Sequence, residues 1–179
     1  MTDLRSYSVE ETLKNGAAVR IRGVRVDDKK RISEAFRKLE SESIYKRFFQ
    51  YKKALSDEEL KAATEVDFEN VVALVVTTGE EGAETIIVAG RYVAFNAAGG
   101  QRGAEVAFTV EEDYQGLGIA SLTLRRLAEI AKNKGIEQFH AEVLQENRGM
   151  LAVFKRSGFP MKQESAEGVV HVTMSLREE

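Results

Sequence analysis

The chain has 179 residues, 43% hydrophobic and 31% charged, which suits one folded domain with its own core and argues against disorder over most of the length. With 26 basic against 29 acidic residues the net charge is -3, so the basic excess of a protein that neutralises many phosphates is missing and nucleic acid is set aside as a general partner. No cysteine is present, which excludes disulfides, thiolate metal ligands and a cysteine nucleophile.

The polar start Met1-Thr2-Asp3 leads into no signal-like apolar stretch. Residues 1–16 are polar with weak periodicity and read as an N-terminal arm, leaving 17–179 as a single domain. Ala17 to Arg25 alternates small or apolar residues with arginine, as a strand with one wet face does. Asp27 and Asp28 then stand where a helix cap belongs, ahead of Ile32, Ala35, Phe36 and Leu39 at helical spacing. Ser41 to Phe49 forms a second helix carrying Ile44, Phe48 and Phe49, and Ser56 with Glu59 makes a capping box for a third. The pairs Lys46-Arg47 and Lys52-Lys53, interleaved with aromatics, are explained by an amphipathic helix rather than a nucleic-acid patch.

Val71 to Thr77 and Thr85 to Phe95 are β-branched runs joined by the Gly79–Gly82 turn, which predicts a hairpin. The longest apolar run, Val71 to Val76, falls far short of the ~20 residues of a membrane span, so a cytoplasmic protein without a membrane partner is expected. Val106, Phe108 and Val110 alternate with Glu105, Ala107 and Thr109 along a further strand. The period then changes: Leu117, Ala120, Leu124, Leu127, Ala128 and Ala131 stripe a helix that ends near Gly135, and Gln138 to Leu144 returns to strand as a parallel strand-helix-strand unit. A last helix spans Asn147 to Ser157, and Val170, Val172, Met174 and Leu176 alternate along a closing strand. The order implies an α/β (α+β) fold, a mixed sheet covered by helices on both faces.

The segment that carries chemistry is Tyr114-Gln115-Gly116-Leu117-Gly118-Ile119-Ala120-Ser121, between a strand and an amphipathic helix. Gly116 and Gly118 allow a tight turn and close approach of backbone to ligand, while first-turn N–H groups and the positive helix end favour an anion such as a pyrophosphate. Ser121 adds a hydroxyl from the same turn. The stretch lacks the lysine-serine or lysine-threonine ending of a P-loop and the third glycine of a dinucleotide fingerprint.

Gln115-Gly116-Leu117-Gly118-Ile119-Ala120 resembles the pyrophosphate-cradling signature of the GNAT superfamily of N-acetyltransferases, and Asn147 with the helix leading to Ser157-Gly158-Phe159 is similar to that superfamily's next motif. Further strings resemble the acetyltransferase domain of bacterial protein lysine acetyltransferases: Ile21-Arg22, Ser41 to Phe49, Ala104 to Val110, and Ala141 to Asn147. The resemblance implies a mostly antiparallel central sheet of six to seven strands, acetyl-CoA as acetyl donor and coenzyme A as product. It also implies an acceptor lysine on a protein, with an acyl-CoA synthetase as the model acceptor. Cofactor-binding residues on this reading are Phe108, Thr109, Val110, Gln115, Gly116, Leu117, Gly118, Ile119, Ala120, Ser121 and Asn147; no metal is called for.

A lysine amine has a reference pKa of ~10.4, so a base must take its proton before it attacks a thioester. Glu105, on the strand before the turn, is that candidate, with partial burial expected to raise its pKa; the family resemblance places the catalytic glutamate in the same string. The competing reading makes Glu105 an exposed strand residue paired with a neighbouring base. Glu142 is the reserve base, and Glu111, Glu112 and Asp113 read as a solvated loop. Without cysteine, direct attack within a ternary complex is favoured, with backbone N–H groups near Phe108 to Val110 holding the cofactor arm. Phe154 stands where many superfamily members carry the tyrosine that protonates the leaving thiolate, and Tyr114 reads as packing. His140 and His171, far apart in sequence, receive no role. Two other readings stay open: acetylation of a small amine, and a non-catalytic acetyl-CoA-sensing module.

Overall fold

A computed structural model describes residues 4–39, 41–48, 53–111, 114–116 and 118–177. The strands are β1 (Ser8–Thr12), β2 (Ala18–Gly23), β3 (Val71–Thr78), β4 (Thr85–Asn96), β5 (Arg102–Val110), β6 (Gln138–Leu144), β7 (Met161–Ala166) and β8 (Val169–Ser175). The helices are α1 (Lys29–Lys38), α2 (Ser41–Phe48), α3 (Asp57–Thr64), α4 (Ile119–Asn133) and α5 (Arg148–Lys155). All eight strands form one sheet in the order β1-β2-β3-β4-β5-β6-β8-β7, antiparallel except between β5 and β6. The mixed, mostly antiparallel sheet is the expected one, with eight strands in place of six or seven. The strands not expected are β1, which brings part of the expected N-terminal arm into the sheet as an edge strand of polar sequence Ser-Val-Glu-Glu-Thr, and β7, an exposed strand at the opposite edge.

Alternation decides which helix meets which face. Val88, Gly90 and Tyr92 of β4 share a face with Val106 and Phe108 of β5, and α4 packs there through Thr123, Leu124 and Leu127. Gly90 is required: a Cβ there would sit 2.8 Å from the Phe108 ring and 3.0 Å from Thr123. Phe154 of α5 joins this layer with its ring centroid 6.4 Å from that of Phe108. The opposite face, with Ala73, Val75, Ala89, Arg91 and Glu105, carries α1 to α3, where Ile32, Phe36 and Ile44 are buried. Covered on both sides, β3 is buried from Val72 to Thr77, which is why its sequence is a continuous apolar run rather than an alternation.

Helix starts divide by chemistry. Ser56 and Glu59 form the expected capping box on α3. Asp28 does not cap α1 with its side chain. Its carboxylate is instead buried and accepts both terminal nitrogens of Arg22 at 2.8 Å, Arg31 Nη1 at 3.0 Å and the Arg25 N–H at 2.7 Å. Burial alone would raise the Asp28 pKa, but these donors hold it below the usual carboxylate range. The segment Phe49 and the Tyr51-Lys52 pair lie outside the described residues.

Candidate functional site

The parallel pair β5/β6 holds together for only three register pairs, Gly103 with Gln138, Ala104 with Phe139 and Glu105 with His140. Beyond Glu105, β5 stays paired with β4 as far as Val110, and β6 stays paired with β8 as far as Leu144. The two strands therefore part, leaving a wedge in the middle of the sheet. The Glu111 N–H donates to the Ile87 carbonyl at 2.9 Å, so counting back in twos, Thr109 and Ala107 direct their backbone groups to β4. Val106, Phe108 and Val110 direct theirs into the wedge. Of the backbone trio expected to hold a cofactor arm, Phe108 and Val110 are thus aimed at it; Thr109 lines the wedge but has its backbone committed elsewhere.

The wedge opens into a cleft of about 260 Å³ whose rim is the glycine turn. Gly116 and Gly118 have φ of +83° and +82°, the left-handed region that only glycine adopts without strain. Gly118 is the N-cap of α4 and offers no side-chain acceptor, and a Cβ at Gly116 would meet nothing within 4 Å. Open space over a helix N-terminus is the cradle an anion requires, and it fits a pyrophosphate. Ile119, Ala120 and Ser121 line the cleft beside it, while Leu117 lies outside the described residues, as do Glu112 and Asp113. Gln115 has its amide nitrogen committed to the Val110 carbonyl at 3.2 Å, tying the turn to the end of β5. Asn147 caps α5 through Oδ1, which accepts the Met150 N–H at 3.3 Å, so its amide NH2 is the group left for a ligand. Phe154 is buried and lines the cleft wall, and Tyr114 packs on the core, so neither is poised to donate a proton to the cleft.

Among the described residues three cations line this cleft: Arg156 just after α5, Lys14, which the sequence does not flag, and Arg47, whose Lys46-Arg47 pair reads as part of an amphipathic helix. Lys14, from the β1–β2 connection, brings Cε to 3.4 Å from where a Gly118 Cβ would stand, with no acidic partner among the described residues. Arg47 of α2 lines both this cleft and a second, apolar cavity of about 230 Å³ under α1 to α3, walled by Phe36, Leu39, Leu55, Val75 and Ala89. Burial, with the like charge of Arg91 beside it, lowers the Arg47 guanidinium to about 10, with Glu105 opposing, so it remains cationic at neutral pH.

Glu105 stands at the closed end of the wedge, on the last shared register pair, with the cleft lining beginning at the next residue, Val106. It is exposed, not partly buried as expected. Its register partner His140 was given no role, yet His140 Nδ1 lies 3.1 Å from His171 Nε2. Only the β6/β8 register, which places Glu142 opposite His171, reveals that the two histidines share one face. Glu142 is exposed on that face.

Residues 32–159 match the Acetyltransferase (GNAT) family. The chain superposes on the crystal structure of the GNAT domain of S. lividans PAT with a TM-score of 0.85 and 33% identity, covering 94% of this chain and 96% of that one. It is 37% identical over 120 residues to Acetyltransferase Pat of Mycolicibacterium smegmatis, 66% of this chain and 34% of that protein, so it spans about a third of that relative. It is also 29% identical over 149 residues to Acetyltransferase PA5475 of Pseudomonas aeruginosa, covering 83% and 78% of the two chains.

Proposed function

This chain belongs to the GNAT family of acetyltransferases, and from that premise we propose that it moves the acetyl group of acetyl-CoA onto a lysine of a protein. The observation that carries the reading is the parting of β5 from β6 at Glu105, directly beside an open glycine turn at a helix N-terminus. On this reading the catalytic domain takes in β1 and Lys14 together with residues 17–179, because the expected N-terminal arm is part of the sheet, and its setting is the cytoplasm.

Acetyl-CoA, when bound, supplies an acyl carbon activated as a thioester. The turn from Gln115 to Ser121 would hold the pyrophosphate, and the Phe108 and Val110 N–H groups would orient the arm in the wedge. Asn147 adds its amide donor on the α5 side. Glu105 takes the proton from the incoming ammonium, directly or through one water, which its exposed position where the strands part permits. Arg47, at the junction of cleft and apolar cavity, keeps a fixed positive charge near Glu105 that favours its carboxylate form. No side chain at Phe154 protonates the thiolate, whose reference pKa of ~8.5 by analogy with cysteine lets it leave without one. Support for a protein acceptor comes from the strings shared with bacterial protein lysine acetyltransferases and from the likeness to the S. lividans PAT domain.

The test is thiol release from acetyl-CoA by the wild type and Glu105→Gln, with an acyl-CoA synthetase and a panel of small amines as acceptors. We expect synthetase lysine acetylation to fall by ~10²–10⁴ in the variant, the range of a general base, with coenzyme A affinity retained. Turnover restricted to small amines would transfer the reading to that class. Tight binding without turnover on any acceptor would make the domain a sensor.

A further inference from the structure

Five titratable side chains lie across four adjacent strands on one face of the sheet. Glu105 on β5 is the register partner of His140 on β6, and His171 on β8 is flanked in register by Glu142 on β6 and Glu164 on β7. His140 and His171 are half-buried, with their ring centroids 5.3 Å apart, and the Nδ1 to Nε2 distance of 3.1 Å allows one hydrogen between them. His140 Nε2 contacts Gln138 Oε1 at 3.2 Å, and Phe95 abuts its ring edge-on at 5.2 Å, its own ring lying over Gly103. The three acids are exposed. The row thus runs from the point where β5 and β6 part, through a sheltered imidazole pair, to two carboxylates in solvent.

We propose that His140 and His171 form a proton-carrying pair that clears Glu105 after each turnover, a role that rests on Glu105 being the base proposed above. The acceptor N–H bond breaks and its proton joins the Glu105 carboxylate. That O–H bond then breaks, directly or through one water, and the proton enters the imidazole pair, which accepts one proton by sharing it across the 3.1 Å contact. Release to water beside Glu142 and Glu164 returns the pair to neutral and leaves Glu105 a carboxylate. The pair is available for this only while neutral, and burial, with His171 beside it, holds His140 below its ordinary value, Glu105 opposing. The charged and titratable groups facing the row are Glu105, Glu142, Glu164 and Lys162 on the strands, Arg91 on β4 and Arg47 on α2.

The chain has two histidines in all, so imidazole NMR reads the pair without ambiguity. In the wild type the His140 ring is expected to titrate below an ordinary imidazole, moving up in His171→Asn, which removes the neighbouring ring, and further down in Glu105→Gln, which removes the opposing negative charge. A His140 titration insensitive to both variants would overturn the proposal. In thiol-release assays His140→Asn and His171→Asn are expected to lower kcat about tenfold, well below the ~10²–10⁴ of the base itself, with KM for acetyl-CoA unchanged. Added imidazole buffer should restore the rate, and the acid limb of the profile should shift to lower pH because a protonated pair no longer blocks transfer. A merely structural pair would give a loss that buffer does not rescue and a limb that does not move. A wild type without turnover would instead sink the acetyltransferase reading, while the NMR arm reads the pair on its own.

Discussion

Two charged regions of this sheet handle charge in opposite ways. Around Asp28 the buried charges are matched: the carboxylate is 0% exposed, Arg22 is 2% exposed, and Glu84 stands 3.7 Å from Arg22 as a second partner. Around Gly118 the backbone is left open, Lys14 has no described partner and Glu105 faces solvent. A sealed cluster fixes β2 against the start of α1 and has nothing left to offer a ligand. An open one contributes little to holding the fold, and its Lys14 ammonium and the first-turn N–H groups of α4 are what an anionic ligand would match.

Substitutions should separate the two regions. Asp28→Ala leaves Arg22 buried beside an empty place, and breaking such a pair is expected to cost about 3–5 kcal/mol, read as a fall in denaturation midpoint with coenzyme A affinity unchanged in the folded fraction. Because the folded Asp28 pKa is depressed, its contribution is full above the unfolded carboxylate value of ~3.9 and is lost as pH falls through the lower folded value. Acid unfolding of the wild type should therefore steepen below that point, and Asp28→Asn should flatten the curve there. Gly90→Ala, between the regions, forces a Cβ to 2.8 Å from Phe108 and is expected to cost about 1–3 kcal/mol by overpacking, measured by the same denaturation.

Gly118→Ala should cost about 1–2 kcal/mol from its positive φ and, unlike Asp28→Ala, lower coenzyme A affinity in calorimetry, since the strain and the added methyl both fall on the turn. Lys14→Ala should leave stability intact and weaken coenzyme A binding by about fivefold or less, an effect that fades as salt rises. An unchanged affinity at low salt would remove Lys14 from the site.

The open region was largely legible in the sequence and the sealed one was not. Alternation through Val106, Phe108 and Val110, two glycines and the Leu124, Leu127, Ala131 stripe are local signals, and they locate β5, the turn and α4 without knowledge of the rest. Asp28 read as a cap because a cap is also a local signal, whereas its pairing with Arg22 depends on where β2 lies under α1. The His140–His171 contact spans 31 positions and exists only through the β6/β8 register. Lys14 escaped for a related reason: β1 is an edge strand with polar residues on both faces, so its sequence carries no period to announce it.

The three register pairs between β5 and β6 have a mechanical consequence. Strands β6, β8 and β7 reach the rest of the sheet only through that short staple, reinforced at its base by the Glu137 N–H to Arg102 carbonyl bond at 2.8 Å and the Arg102 guanidinium on the Lys134 carbonyl at 2.9 Å. Amide exchange should show β3 and β4 opening only with global unfolding, and the β6 amides opening earlier as a separate unit. A ligand lying in the wedge bridges the two units in place of the missing hydrogen bonds, so the lag between the two exchange regimes should close as its concentration rises.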